Sequence, residues 1–243
     1  MEEHVLLYGH SFVRQLKRFT EVRKMVNYGF DREETVVHMV GGLSQRDKIN
    51  LVHEARGRLS QTLGQLPPIH VAVICLGTND LCQFFMTAPS KIAKEVVEIG
   101  QLFLDNGVRR VAFIPCFPRY APKGFSTKSL MFSAAGVYTL KDCEDKFRVR
   151  RAAFNEELDR LVKLEQHMEV MEMKGLRVDL EEKLPGGLHF SDAANRTFLN
   201  TLKRESIYMC RKARGRQGRL RLPRGASNAY SRRHRFEART YRR

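Results

Sequence analysis

Cysteine is scarce in this sequence, and its spacing excludes two common roles. The chain of 243 residues has five Cys, with no C-x-x-C pair and no zinc-like spacing. Cys75 and Cys116 lie inside apolar runs, as core residues do. An odd number of cysteines in such places argues against a secreted disulfide scaffold and against a metal site. We therefore expect a protein of a reducing compartment, the cytoplasm.

Long apolar runs are also absent. No run approaches the ~20 residues that a membrane-spanning helix needs. The chain begins Met-Glu-Glu and shows no basic region followed by an apolar one, so we expect no signal peptide and no transmembrane segment. There is no internal repeat. Hydrophobic residues make up 42% of the chain, which is enough for a globular body with a core.

Acidic residues are nearly missing from the end of the chain. Residues 211–243 hold 13 of the 43 Lys and Arg residues but one of the 27 Asp and Glu residues, which leaves 30 basic and 26 acidic residues in the body. The body is thus about +4 and the tail +12, within a total of +16. This asymmetry indicates an acidic partner for the tail rather than for the whole protein.

Short apolar runs alternate with amphipathic stretches along residues 1–210. In the helical candidates, apolar residues recur every three or four positions, as in Phe12, Leu16 and Phe19. Strands that alternate with helices predict an α/β fold, with a mainly parallel sheet covered by helices on both faces. Ligands of such sheets bind beyond the carboxyl ends of the strands. The predicted strands are 5–8, 35–40, 71–76, 111–115 and, more weakly, 168–173.

Two segments interrupt the alternation. Residues 117–147 are too long for a simple connection and contain several Pro and Gly residues, which predicts either a lid over a binding site or a solvated insertion. Residues 211–243 have no apolar period and are expected to be disordered on their own. The sequence therefore predicts one domain over 1–210 and an Arg-rich tail over 211–243.

Residues suited to acyl transfer follow the predicted strands. Together they supply a hydroxyl, backbone N–H groups, an amide and an imidazole, which are the nucleophile, oxyanion donors and base that acyl transfer requires. Taken singly, each has a simpler interpretation: Ser11 as a helix N-cap, Asn79 as turn chemistry, the Gly pair as a tight turn and His189 as a surface histidine. The four stretches are Gly9-His10-Ser11, Gly41-Gly42, "GTND" at 77–80 and "GGLHFSDAAN" at 186–195.

In order and position, these four blocks resemble those of the SGNH (GDSL-like) hydrolases, over residues 5–208. The resemblance implies a flavodoxin-like, three-layer α/β/α fold with a five-stranded sheet, and cofactor-free esterase or deacetylase chemistry on a small ester or acylated substrate. It implies Ser11 as nucleophile and His189 as base. The oxyanion hole would combine the N–H of Ser11, the N–H of Gly42 (or Gly41) and the Asn79 side chain.

Two positions depart from the family pattern. The first block usually reads Gly-Asp-Ser, and His10 stands in place of the Asp. The last block usually carries the triad Asp three residues before its His, and that position is Gly186. Loss of the triad acid costs on the order of 10⁴ in kcat. Asp192, Asp179 or a backbone carbonyl is an alternative partner for His189, and Asp192 is equally suited to helix capping.

The tail suggests a second kind of function. Arg forks match phosphates, and the interleaved Tyr and Phe residues could stack on bases, so RNA or DNA is the expected partner. "RKARGR" and "SRRHR" are alternatively nuclear-localisation patches, and a solvated tail without a partner is the third interpretation. The sequence thus predicts an SGNH-type serine esterase or, alternatively, an inactive SGNH scaffold that binds nucleic acid. The residues predicted to bind nucleic acid are Arg211, Lys212, Arg214, Arg216, Arg232, Arg233 and Arg235.

Overall fold

A computed structural model of the chain describes residues 2–30, 34–41, 51–83, 87–120, 140–173, 176, 184 and 189–214. Within these residues, five strands form one parallel sheet in the order β2-β1-β3-β4-β5. This confirms the predicted parallel five-stranded sheet, and each strand begins at or within two residues of its predicted start. The strands are β1 (Glu3–Gly9), β2 (Thr35–Gly41), β3 (Val71–Cys75), β4 (Arg110–Phe113) and β5 (Met168–Val170).

Six α-helices and one 3₁₀ turn (Val26–Gly29) accompany the described strands. Each long helix carries the buried stripe that its apolar spacing predicts, as Phe12, Leu16 and Phe19 show in the first of them. Among the described residues, no helix is both long enough and apolar enough to cross a membrane. The helices are α1 (Ser11–Val22), α2 (Val52–Gly64), α3 (Thr78–Gln83), α4 (Pro89–Asp105), α5 (Leu140–Val162) and α6 (Asp192–Ala213).

Side chains along β1 point alternately to the two faces of the sheet, and the core forms one layer on each face. Leu6 and Tyr8 face a cluster that α2, α4 and α5 contribute to, whereas Val5 and Leu7 face a cluster built with α1 and α6. All four side chains are buried, as expected for a central strand of a parallel sheet. Helices therefore cover both faces of the sheet, which confirms the three-layer α/β/α architecture.

Two boundaries differ from those predicted. Residues 140–147, predicted to be irregular, form the first two turns of α5. Cys143, Phe147 and Phe154 lie on its buried face, but the charged residues between them hide this period in the sequence. Helix α6 continues to Ala213, so the first residues assigned to the tail belong to the body. Residues 121–139, at the centre of the predicted lid, and residues 215–243 lie outside the described residues.

Candidate active site

Ser11 is the first residue of α1, and one residue, His10, separates it from the end of β1. His10, not Ser11, occupies the N-cap, and no side chain caps the helix there, so the capping interpretation of Ser11 is wrong. The His10 carbonyl accepts hydrogen bonds from Val13 N (3.1 Å) and Arg14 N (3.4 Å). Ser11 is half-buried and lies at the N-terminus of α1. The helix dipole there favours negative charge on a bound oxygen.

An aromatic cluster joins the residues that follow the predicted nucleophile and base. The ring centroids of Phe12 and Phe190 are 5.0 Å apart, and Phe117 lies 5.1 Å from Phe12 and 4.9 Å from Phe190. The ring of Phe12 also meets the His189 imidazole edge-on at 6.0 Å. The fold thus brings the Ser11 and His189 segments together, although 178 positions of sequence separate them.

His189 has the electrostatic character of a neutral base. Its Nε2 is buried and has no hydrogen-bond partner among the described residues. Burial lowers the pKa of His189 below its usual value, and the cations of Arg119 and Arg14 lower it further. At neutral pH the imidazole is therefore uncharged and can accept a proton.

Asn79 lies in the first turn of the short helix α3, at the carboxyl end of β3. Gly77 makes the preceding turn with φ +94°, and a Cβ there would lie 2.8 Å from the Phe154 ring. The Asn79 Oδ1 accepts a hydrogen bond from Arg119 Nη2. This contact fixes which end of the amide is the acceptor, so the Nδ2 donor points away from Arg119, as an oxyanion donor requires.

Arg119 is a member of the site that the sequence did not reveal. It lies six residues beyond the end of β4, within the segment predicted to be a lid or an insertion, where no motif marks it. Besides binding Asn79, its charge lowers the pKa of both His10 and His189. Arg14, on the first turn of α1 and close to the proposed nucleophile, was likewise missed because a helix start with an Arg is commonplace.

The carboxyl end of β2 lies against the start of α1. Gly41 stands opposite Gly9 in the parallel register, and Gly9 stands opposite Cys75 on the other side. A Cβ on Gly41 would lie 2.7 Å from the Cβ of Val13, so only glycine allows this approach. Gly42, the next residue, lies outside the described residues, and its oxyanion role remains a prediction.

His10 is fully buried beside the site, at the position where the family usually has Asp. Neither ring nitrogen has a hydrogen-bond partner among the described residues. Burial, together with the charges of Arg119 and His189, lowers the pKa of His10 to about 3. The ring is therefore neutral, and it packs on Phe12 with centroids 5.6 Å apart.

The structure pairs Asp192 with Arg23. Asp192 Oδ2 accepts from Arg23 Nη2 at 2.5 Å, and the carboxylate side chain is 76% exposed. The helix cap of α6 is Ser191, whose Oγ accepts from Ala194 N at 3.2 Å, rather than Asp192. Within the described part of the chain, the charges that shift the pKa of His189 are cationic. Gly186 and Asp179 lie outside the described residues, so the absence of an Asp at position 186 is known from the sequence alone.

The basic residues at the end of α6 bind acidic residues of the body. Lys212 Nζ lies 2.5 Å from Glu169 Oε2, and Arg214 donates to Glu3 Oε2 at 2.9 Å. Arg211 lies on the same last turn and is half-buried. The other residues predicted to bind nucleic acid, Arg216 and those at 232, 233 and 235, lie outside the described residues.

A cavity of about 510 Å³ opens at the carboxyl ends of β4 and β5. Phe117 forms part of its wall and links it to the aromatic cluster under Ser11 and His189. Arg151 lines the cavity, and its buried Nε has no hydrogen-bond partner among the described residues. The remaining wall is largely apolar and includes Met171, Met173 and Leu176.

Comparison with known proteins supports the fold through structure rather than sequence. No protein-family model and no curated protein matches the chain. The native aryl esterase of M. smegmatis is similar with a TM-score of 0.58 and 17% identity, over 86% of this chain and 100% of the esterase. A carbohydrate acetylesterase family member from Sinorhizobium meliloti gives 0.59 and 16%, over 86% and 99%.

A GDSL-like lipase from Bacteroides thetaiotaomicron is similar with a TM-score of 0.60 and 14% identity, over 85% of this chain and 88% of the lipase. At these identities the likeness establishes architecture and not activity. The strand order, the two covered faces and these neighbours agree with the fold predicted from the four sequence blocks. The chain therefore has the fold of the SGNH (GDSL-like) hydrolases.

Proposed function

We propose that the protein is a serine acyl hydrolase that cleaves small esters through Ser11 and His189. The observation that carries this proposal is the contact between the residues that follow them, Phe12 and Phe190, with ring centroids 5.0 Å apart. This packing supports the proposal because it joins the segment that carries the Ser11 hydroxyl to the segment that carries the His189 imidazole. The aryl esterase, acetylesterase and lipase with the same fold support an ester as the substrate.

In the proposed reaction, the Ser11 hydroxyl oxygen attacks the ester carbonyl carbon while His189 Nε2 accepts the hydroxyl proton. The tetrahedral intermediate collapses, and the imidazolium returns its proton to the leaving alkoxide, which departs as the alcohol. A water molecule then attacks the acyl-Ser11 ester by the same route and releases the acid. In each tetrahedral intermediate, the positive charge of the His189 imidazolium balances the negative charge of the oxyanion.

The negative oxygen of the intermediate requires donors in place before the reaction. The Ser11 N–H and the Asn79 Nδ2 would supply two, and the N–H of Gly42 (or Gly41) a third. Arg119 supports this role of Asn79 because it occupies the amide oxygen and so presents the amide nitrogen. The cavity beside Phe117 would receive the rest of the ester.

The experiment that tests the proposal is active-site labelling of the full chain with a fluorophosphonate, together with hydrolysis of 4-nitrophenyl acetate. We expect one covalent label, located at Ser11, and turnover that Ser11→Ala and His189→Gln both abolish. Ser60→Ala, at an exposed serine of α2, is the matched control and should keep both. Turnover by Ser11→Ala equal to that of the unmodified chain would overturn the proposal.

A second candidate function is nucleic-acid binding by the tail, with or without catalysis. The observation in its favour is the charge of residues 215–243, which include ten Arg and one Glu. Such a tail releases counterions from phosphates when it binds. The five cysteines are buried free thiols, which supports a reducing compartment, and we propose the cytoplasm or the nucleus as the location.

A further inference from the structure

A cavity of about 390 Å³ lies at the amino ends of β4 and β5, against the last turn of α6. Its charged and polar wall consists of Arg109, Arg110, His167 and Lys212, and Ala213 lines it on the α6 side. None of the described residues that line this amino-edge cavity is acidic. A concave surface lined by one sign of charge focuses the electric field, so an anion is the ligand that the cavity favours.

The two arginines of the wall stand on a fixed backbone. Gly107 follows the end of α4 with φ +87° and donates its N–H to the Leu104 carbonyl at 2.9 Å. The N–H groups of Arg109 and Arg110 then both donate to the His70 carbonyl, at 3.1 and 3.3 Å. The main chain therefore anchors both arginines beside the start of β3, and both residues line the cavity.

The net charge of the amino-edge cavity comes from Arg109 and Arg110. Lys212 Nζ lies 2.5 Å from Glu169 Oε2, so that pair is close to neutral. Within the part of the chain that the structure describes, the side chains of Arg109 and Arg110 have no hydrogen bond and no ion pair. Guanidinium groups bind phosphate oxygens in a bidentate manner, and a phosphate would meet these two without displacing a carboxylate recorded on them.

The tail begins at the rim of the same cavity. Ala213 lines the cavity and Arg214 caps α6, so residues 215–243, with ten Arg and one Glu, follow directly. A polyanion bound by the tail would be held at a high effective concentration beside Arg109 and Arg110. A weak contact with the body would then add to the affinity of the tail.

An aromatic ring adjoins the cavity. Tyr208 lies one turn before Lys212 on α6, and Lys212 Nζ is 4.5 Å from the centroid of its ring. Tyr208 is 37% exposed, so part of this residue is open to a ligand. Proteins bind single-stranded nucleic acids with cations on the phosphates and aromatic rings against the bases, and this edge of the sheet carries both.

We propose that the amino-edge cavity binds the phosphate backbone of a single-stranded nucleic acid through Arg109 and Arg110, with a base against Tyr208. This rests on the second proposed function, nucleic-acid binding by the tail, and adds a site on the folded body. The strand would thus contact the tail and the body at once.

The test measures the affinity of the full chain for an oligothymidylate of about 15 nucleotides, at salt concentrations between about 0.05 and 0.3 M. Each phosphate contact with a single strand adds about 0.7 to the slope of log affinity against log salt. Arg109→Gln combined with Arg110→Gln should therefore lower the slope by about 1.4, and the affinity at about 0.1 M salt by about 10- to 30-fold. Arg109→Gln alone, at an exposed position, should have about half the effect on the slope, and Arg109→Lys should keep it.

An abasic strand of the same length separates the bases from the phosphates. Tyr208→Leu should weaken binding of the oligothymidylate by about 5-fold or more and leave the affinity for the abasic strand unchanged. Tyr208→Phe keeps the ring and should keep both affinities. The double arginine variant should weaken binding of both strands, because both carry the phosphates.

The matched control is Arg18→Gln combined with Arg196→Gln, which removes two exposed arginines of α1 and α6. Arg196 lies about 24 Å from Lys212 along α6, so neither the affinity nor the salt slope should change by more than the loss of overall charge requires. Circular dichroism checks that each variant folds, and Arg109→Gln alone carries the test if the double variant does not.

The outcomes distinguish this inference from the function beneath it. An unchanged salt slope in Arg109→Gln, or an equal loss in the control pair, would overturn the cavity as a binding site and leave the function of the tail standing. Equal effects of Tyr208→Leu on the two strands would overturn the contact with a base. Absence of binding by the unmodified chain would overturn nucleic-acid binding and this inference with it, whereas losses confined to the cavity variants would support both.

Discussion

The rings of Phe12 and Phe190 lie 5.0 Å apart, and each belongs to the residue that follows a proposed catalytic side chain. This contact carries the geometry of the site, so Phe190→Leu should lower kcat by about 10- to 100-fold, because small misplacements of a base are costly. The free energy of unfolding should fall by about 1–2 kcal/mol. Ester hydrolysis and urea denaturation measure the two effects.

The matched control is Phe147→Leu, at a buried ring on the other face of the sheet. It should cost similar stability but leave kcat within about two-fold, because Phe147 belongs to the core layer on the opposite face of the sheet from Phe12 and Phe190. Equal losses of kcat in the two variants would mean that the aromatic cluster has no special positioning role.

Asn79→Asp tests the oxyanion donor. An aspartate can keep the contact with Arg119 but replaces the Nδ2 donor by an oxygen, so kcat should fall by about 10²- to 10³-fold with a smaller change in KM. Asn200→Asp, at an exposed position of α6, is the control for the added charge and should have little effect. Retention of kcat by Asn79→Asp would remove Asn79 from the mechanism.

Gly186→Asp tests the missing acid. A carboxylate at this position is expected to orient the His189 ring and to stabilise the imidazolium, which should raise kcat by about 10- to 100-fold, less than the full triad effect of about 10⁴. Gly187→Asp adds the same charge one position later and should give no gain. Circular dichroism must first show that both variants fold; a folded Gly186→Asp without any gain would contradict the triad logic for this chain.

His10 should make the fold sensitive to acid. Its pKa falls from the usual 6.5 to about 3 in the fold, so between these values the unfolded chain binds a proton that the folded chain does not. The free energy of unfolding should therefore decrease as the pH falls below about 6.5, by up to about 1.4 kcal/mol per pH unit from this residue. His10→Asn should remove that part of the slope in urea titrations.

Two comparisons make the His10 measurement specific. His53→Asn, at an exposed histidine of α2, should leave the slope unchanged. Asp80 has the opposite dependence because burial raises its pKa to about 7, so its protonation favours the fold as the pH falls. Asp80 is present in the unmodified chain, in His10→Asn and in His53→Asn, so its contribution cancels when their slopes are compared. An identical slope for His10→Asn and the unmodified chain would refute the assignment.

Truncation after Arg214 tests the tail. Lys212 and Arg214 bind Glu169 and Glu3, so the cut spares these contacts and the shortened protein should unfold at the same denaturant concentration. Its affinity for single-stranded RNA should fall by at least about 10-fold at low salt, and the salt dependence should flatten. A full-length variant with Gln in place of the ten Arg of 215–243 should behave like the truncated protein. Undiminished RNA binding by either variant would show that the tail is not the nucleic-acid-binding element.

The sequence was sufficient for the sheet, and it proposed three residues of the candidate site. Strands such as Val71–Cys75 are buried on both faces and form unbroken apolar runs, which no competing interpretation fits. Ser11 and Asn79 follow the carboxyl ends of two neighbouring parallel strands, β1 and β3, so their placement at one edge of the sheet follows from the topology. The start of α5 was missed because charged residues surround the buried Cys143 and Phe147.

Arg119 could not have been found in this way. It belongs to an irregular connection, where neither period nor motif constrains a side chain, and its role depends on a contact with Asn79 some forty positions away. The partner of Asp192 was equally hidden, since Arg23 is brought to it by the packing of α1 and α6. Long-range pairs of polar side chains are set by tertiary structure and leave no local trace.

The ion pair between Arg214 and Glu3 decides where the tail leaves the body. Glu3 begins β1 and Ser11 follows its end, so seven residues of strand, about 23 Å, separate the root of the tail from the nucleophile. A polyanion bound at Arg214 would lie at the amino ends of the strands, at the opposite end of the sheet from the proposed acyl site. Nucleic acid at Arg214 and an ester at Ser11 would therefore not compete for the same surface.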